Sequence, residues 1–134
     1  MAVFKIGDAE GSWFEMEGGG RVKLKALSYS DFRDIQKQAT KYGPPEYPKL
    51  DGKHVRFQPE IVDSDLQLEL TWDKSILGWE DLFDGNGNPI PCTREMKTAL
   101  MLMKDDSFRE FYNEKMKVLI DAEEDRMEAV EKNS

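Results

Sequence analysis

Apolar and polar residues alternate with period two from Arg21 to Ala26: Val22, Leu24 and Ala26 interleave with Arg21, Lys23 and Lys25. That is the pattern of a strand with one wet face. Upstream, Trp13-Phe14-Glu15-Met16 is rich in strand formers, and Gly18-Gly19-Gly20 between the two runs supplies a turn free to take positive φ. The chain therefore predicts a β-hairpin over 12–27, with 2–6 (around Val3-Phe4-Lys5-Ile6) as a candidate third strand. The period then changes. Phe32, Ile35, Ala39 and Tyr42 follow helical spacing over 28–42, with Ser28 and Asp31 forming a capping-box start, or Ser30 as the cap instead, and Gly43-Pro44-Pro45 as the stop. Residues 43–59 hold four prolines and read as a long connector, with a small strand around His54–Phe57.

From Pro59 the pattern supports two readings. Leu66, Leu68, Leu70 and Trp72 alternate like a strand, whereas Val62, Leu66, Leu70 and Leu77 fit one face of a helix; a length of about 18 residues favours a helix over 60–77. Gly78-Trp79 opens a turn-rich loop. Thr93 caps a third helix over 94–104, with Met96, Ala99, Leu100 and Met103 on one face. Asp105-Asp106-Ser107 interrupts it, and Asp106 or Ser107 starts a fourth helix in which Glu110 sits where a capping box takes an acid. That helix carries Phe108, Phe111, Tyr112 and Leu119 and becomes polar after Ile120. The fold class is α+β: an N-terminal β-hairpin or small antiparallel sheet, then a predominantly helical part of about four helices. One domain is expected over 1–120, followed by an acidic helical or frayed tail over 121–134.

Charge sharpens this division. The chain has 134 residues and a net charge of −8. Residues 1–59 hold 10 Lys/Arg against 8 Asp/Glu, and residues 60–134 hold 9 against 19. An acidic surface repels phosphate backbones, which argues against a nucleic-acid partner. The basic stripe Arg21/Lys23/Lys25 reads as a solvated strand face that discourages edge pairing, ahead of a docking site for an acidic partner. No run approaches 18 apolar residues, so no membrane span is expected, and the first residues lack the apolar run of a signal peptide. A single cysteine, Cys92, fits a reducing compartment.

Candidate chemistry is sparse. Asp84, Asn86, Asn88 and Glu95 fall at positions 1, 3, 5 and 12 of a calcium-loop register, but Pro89 stands where the sharp turn needs glycine, so a Gly/Asn turn closing a small hairpin or Ω-like loop is the stronger reading. Cys92 and His54 are the only thiol and the only imidazole, and nothing places them as a nucleophilic pair or a zinc set. No Gly-Lys-Ser/Thr follows the glycine turn, so it is not a phosphate loop. No catalytic, cofactor-binding or metal set emerges, and no enzyme is expected. The methionines carry more weight: five of the seven lie in the last 40 residues, and Met101 and Met103 cannot share one helix face. Flexible, polarisable methionine suits core filling and surfaces that accept varied apolar partners, and the two readings stand level for this cluster.

The run Gly78-Trp-Glu-Asp-Leu-Phe-Asp-Gly-Asn-Gly-Asn-Pro-Ile-Pro-Cys-Thr93, followed by Glu95, resembles the Trp-Gly/Glu, Asp-x-x-Gly-x-Pro-x-Pro, Thr-x-Glu signature of phage tail assembly chaperones, small proteins encoded beside the tape measure protein of long-tailed phages and prophages. As an order of elements the resemblance extends over roughly residues 21–120. It implies a non-enzymatic protein of the bacterial host cytoplasm that binds the tape measure protein, keeps it soluble and recruits tail tube protein. It also implies self-association into a homo-oligomer, and a longer form made by ribosomal frameshifting. On this resemblance Trp79 and Phe83 would anchor the turn loop, Pro89 and Pro91 would hold its return extended, and Thr93 would cap the next helix. Met96, Leu100, Met103, Phe108 and Phe111 would line or support the partner-binding face, with residues 121–131 as an acidic, solubilising rim. Two other classes compete: a structural tail or neck subunit retained in the virion, and an acidic DNA mimic that blocks a host enzyme. Against the mimic, the carboxylates of 60–134 are interspersed with Lys74, Lys97, Lys104, Arg109, Lys115 and Lys117.

Overall fold

The computed structural model describes residues 11–132, with side chains through Glu124. The α+β class holds: a small antiparallel sheet and four helices. The expected strand at 2–6 lies outside the described residues. Within them the chain forms two compact units, one made of Ser28–Thr71 and the other of the segments before and after it.

In the larger unit β1 (Ser12–Glu15) pairs antiparallel with β2 (Arg21–Leu24), and β2 pairs on its other side with β7 (Ile76–Glu80). The hairpin expected over 12–27 is therefore present. Its glycine turn requires glycine: at Gly20, φ is 85° and a Cβ would lie 2.8 Å from the Asp81 carbonyl oxygen. The period-two pattern divides β2 as read. Val22 and Leu24 are wholly buried, while Arg21 and Lys23 face outward. The outward stripe is occupied from within the chain. The Arg21 guanidinium lies 4.2 Å from the Trp13 ring centre and pairs with Glu80 at 2.7 Å, and the Lys23 amine lies 5.9 Å from the same ring.

The segment expected as one helix over 60–77 is three elements. β6 (Glu60–Val62) comes first, then α2 (Ser64–Ser75), then β7 without a connecting loop. Asp63, not Pro59, starts the helix: its carboxylate accepts from the Leu66 N–H and its carbonyl from Gln67. Ile76, Leu77, Gly78 and Trp79 are thus strand residues rather than a helix end and a loop opening, because pairing with β2 captures them. Lys23 lies opposite Gly78 and Leu24 opposite Ile76, so Leu77 is the extra residue of a bulge and is left exposed.

α3 (Arg94–Met101) is shorter than the expected 94–104. Its start is as read, with the Thr93 hydroxyl accepting from the Met96 N–H at 3.2 Å. α4 runs from Ser107 to Lys132, so the acidic segment after Ile120 keeps a helical backbone. Asp105 serves the start of α4, its carboxylate accepting from the Ser107 N–H at 3.1 Å, a bond that holds its pKa below the usual carboxylate value. Glu110 lies in the first turn of α4, and its N–H bonds to the Asp106 carbonyl at 2.8 Å.

These elements enclose one core of Val22, Leu24, Trp72, Ile76, Trp79, Met101, Phe108 and Tyr112. At its centre Ser75 is wholly buried and shares a 2.6 Å hydrogen bond with the Tyr112 hydroxyl. The Ser75 carbonyl accepts from the Lys25 N–H at 2.9 Å, so one residue joins the end of α2 to α4 and to the chain leaving β2.

The smaller unit begins with α1 (Tyr29–Ala39), capped by Ser28 and Asp31 in a full capping box. It stops at Ala39, not Tyr42. Thr40 is extended, and its hydroxyl donates to the Gln36 carbonyl. β3 (Thr40–Tyr42) pairs with β6, and the Pro-rich connector is itself paired. β4 (Lys49–Leu50) and β5 (Lys53–His54) form a hairpin across Asp51-Gly52.

Burial pushes the Tyr112 hydroxyl above its ordinary pKa of 10.0, against the lowering effect of the Ser75 bond. The folded state thus favours the neutral phenol. Its stabilising effect is complete below about pH 10 and is lost as pH rises through the raised folded value. Tyr112→Phe is expected to cost about 1 kcal/mol near neutrality and to remove this alkaline loss, as measured by urea unfolding at several pH values.

Candidate functional site

The segment from Trp79 to Glu95 carries the sequence signature, and its geometry is that of a folded turn pinned to the core. The Trp79 indole N–H donates to the Ile90 carbonyl at 2.7 Å, and its ring meets Phe108 edge-on at 6.1 Å and 82°. Between them, Ile90 N–H bonds to the Leu82 carbonyl, and Phe83 bridges to Pro89. Within the tip one Asp84 carboxylate oxygen accepts from the Asn86 N–H (2.9 Å) and the Asn88 N–H (3.0 Å), and Gly87 has φ of 78°. That oxygen is thus turned inward onto amides, as the Gly/Asn turn reading expects.

Trp79 and Thr93 have the positions that the resemblance implies. Phe83 does not anchor the loop, being 56% exposed; Leu82 and Ile90 pack against the core in its place. Strand alternation counted from buried Trp79 would turn Phe83 inward, but β7 ends at Glu80 and Asp81 takes a left-handed φ of 59°, which breaks the alternation so that Leu82 takes the inward side. Pro89 and Pro91 are exposed. Hydrophobicity and strand alternation both favour Phe83, and only the backbone turn at Asp81 gives the inward side to Leu82.

The residues read as a partner face divide into three settings. Phe108 is buried in the core, where it can support a face but not line one. Met96, Leu100 and Phe111 are half-buried against that core. Met103 is exposed, beside Leu102, which sequence reasoning passed over and which is 65% exposed. Helical spacing set Leu102 aside because it falls off the stripe of Met96 and Leu100; the early end of α3 at Met101 is what leaves it in a turn. The Arg109 guanidinium donates to the Met101 carbonyl at 3.2 Å, tying the end of α3 to α4.

Sequence reasoning also missed Lys97. Its side chain is 10% exposed, and its amine donates to both the Asp73 carboxylate (3.0 Å) and the Asp73 carbonyl (3.1 Å). The ammonium satisfies a carbonyl in the last turn of α2 and clamps α3 to it. Nothing in the local sequence distinguishes it from a surface lysine.

Cys92 precedes α3 and is exposed. Desolvation lifts its thiol pKa, while the Lys97 ammonium and a Trp79 backbone hydrogen bond pull the other way; the net rise disfavours the thiolate. The His54 ring nitrogen pairs with the Tyr47 carbonyl at 3.2 Å. Among the described residues no group of His, Cys, Asp and Glu is placed to hold a metal ion, and no helix is long and apolar enough to cross a membrane.

If the indole pins the loop, Trp79→Phe should cost about 1–2 kcal/mol by releasing the Ile90 carbonyl, and Trp79→Ala about 3–5 kcal/mol, in denaturant unfolding. Phe83→Ala should cost well under either. No family model, curated protein or solved structure matches this chain.

Proposed function

We propose that this protein is a non-enzymatic tail assembly chaperone that holds a tape measure protein soluble in the cytoplasm of a bacterial host and promotes assembly of tail tube protein around it. The observation that carries the reading is the apolar edge between α3 and α4. Leu102 and Met103 stand exposed in the turn, and Met96, Leu100 and Phe111 lie half-buried on the adjoining helices. The resemblance of Trp79–Glu95 to the chaperone signature supports it.

The mechanism follows from the chemistry of such an edge. A long chain with apolar helical stripes aggregates when its stripes find one another. A client stripe laid over Leu102 and Met103 is withdrawn from water, at roughly 25 cal/mol per Å² of apolar area. Methionine adapts its shape to successive stripes without a fixed pocket. Further along α4, Asp121, Glu123 and Glu124 are exposed, and their charge keeps the loaded complex apart from its neighbours. The Arg109 guanidinium, bonded to the Met101 carbonyl, ties the end of α3 to α4.

Co-expression with the adjacent tape measure protein tests the reading, with soluble complex as the readout. The wild-type chain should recover soluble tape measure protein. Leu102→Asp with Met103→Asp should reduce the yield about tenfold while circular dichroism stays unchanged, since a charge at the contact loses the 1–3 kcal/mol of burying an apolar side chain. Retention of the full yield by that variant would sink the proposal.

A further inference from the structure

Around the edge between α3 and α4 the charges are mixed in sequence but not on the surface. From Arg94 to Glu114 the chain holds five acids and four bases. Two of the bases are turned inward. Lys97 is buried with its amine 3.0 Å from the Asp73 carboxylate, and half-buried Arg109 donates to the Met101 carbonyl at 3.2 Å. Just beyond, half-buried Lys115 places its amine 5.8 Å from the Phe111 ring centre and 3.6 Å from the Glu114 carboxylate. All five acids are exposed, against Arg94 and Lys104 as the exposed bases of the stretch. Folding thus turns a balanced sequence into an acidic surface.

The acids border the apolar residues. Leu102 follows α3 but keeps its spacing, because its N–H still bonds to the Thr98 carbonyl at 3.0 Å. Glu95, Ala99 and Leu102 therefore fall on one line, at i, i+4 and i+7, and all three are exposed. Arg94 is set about 100° around α3 from Glu95. On the other side Asp106 stands in the same turn as Met103, and Glu110 follows it at i+4 on the exposed side of α4. Asp105 is occupied as the cap of the Ser107 N–H. Among the described residues Glu95, Asp106 and Glu110 hold no ion pair. Leu102 and Met103 thus lie between Glu95 and the pair Asp106 and Glu110, with Lys104 the one cation in the turn.

Such a surface selects on two features at once. Burial of Leu102 and Met103 favours an apolar stripe, whatever borders it. The border then decides: acidic side chains there meet like charge, whereas lysine and arginine lie along the apolar stripe on their stems and reach the carboxylates with their heads.

We propose that the segment this edge takes up is an amphipathic helix whose apolar stripe is bordered by lysine or arginine, the stripe covering Leu102 and Met103 and the basic border meeting Glu95, Asp106 and Glu110. This rests on the reading of the edge as the client-binding surface and names the chemistry of what binds there. Two synthetic helical peptides with the same leucine stripe, one bordered by lysine and one by glutamate, test it by fluorescence anisotropy with the full chain. At low salt the lysine peptide should bind about tenfold more tightly, and the difference should close as salt is raised to about 0.5 M. Glu95→Lys with Glu110→Lys should reverse the preference. Glu95→Gln with Glu110→Gln, milder in the first turns of α3 and α4, should narrow it. Glu123→Lys with Glu124→Lys makes the same change of net charge on distal α4 and should leave the preference intact. Leu102→Ser should weaken both peptides alike, and circular dichroism should match the wild type for every variant. Binding that depends on Leu102 but not on peptide charge overturns this proposal and leaves the edge reading standing. So does a preference that the changes at Glu123 and Glu124 move as far as those at Glu95 and Glu110. Binding of neither peptide, or binding indifferent to Leu102, removes the edge reading and this proposal with it.

Discussion

The structure turns on the place where α2 becomes β7 without a loop. A helix that runs straight into a strand must change backbone conformation at one residue, and here that residue is Ser75, wholly buried. A buried junction leaves polar groups without water, so each must find a partner inside. The Ser75 hydroxyl meets Tyr112 of α4, and its carbonyl meets Lys25 beyond β2. Satisfying one residue therefore fixes α4 and the sheet relative to each other. Trp72, Ile76 and Trp79 then fall at the spacing that lines the core from both sides of the junction. The Lys97 amine adds a second tie two residues earlier, by taking up the carbonyl and carboxylate of Asp73.

From that frame outward, the molecule becomes more adaptable. The signature loop is held by one indole hydrogen bond and two half-buried aliphatics, and α3 is only two turns long. The turn after it leaves Leu102 and Met103 in water, while Phe108 at the start of α4 is packed in the core. A packed floor beneath an exposed apolar edge would suit the proposed binding of many similar stripes along one client. The second unit is built differently. Ile35, Ala39 and Leu70 are its buried side chains of any hydrophobic weight, and its paired connector carries its apolar residues outside.

Features set by neighbours in sequence were legible in the sequence. The glycine triplet, the Ser28–Asp31 box and the Thr93 cap are local devices, and each has the structure its residues imply. The alternation of Val22 and Leu24 with Arg21 and Lys23 identified the central strand. What the sequence did not reveal depends on partners far along the chain. Ile76–Trp79 looked helical or loop-like because its strand partner, β2, lies some 55 residues earlier. Thr40–Tyr42 looked helical for the same reason, and four prolines hid a ribbon whose pairing shifts register at Pro44-Pro45 and uses the Pro48 and Pro59 carbonyls as acceptors. At the candidate site, Phe83 outranked Leu82 on size, and Lys97 resembled any surface lysine, since burial follows from tertiary register rather than residue type.

The central claim is that the edge between α3 and α4 is the surface that handles the client, on a frame that does not move. Hydrogen–deuterium exchange of the protein alone and bound to tape measure protein tests it most directly. The account predicts slower exchange from Met96 to Phe111 on binding, with the amides of β1, β2 and β7 unchanged. Unchanged exchange from Met96 to Phe111, with protection confined to the sheet, would contradict it.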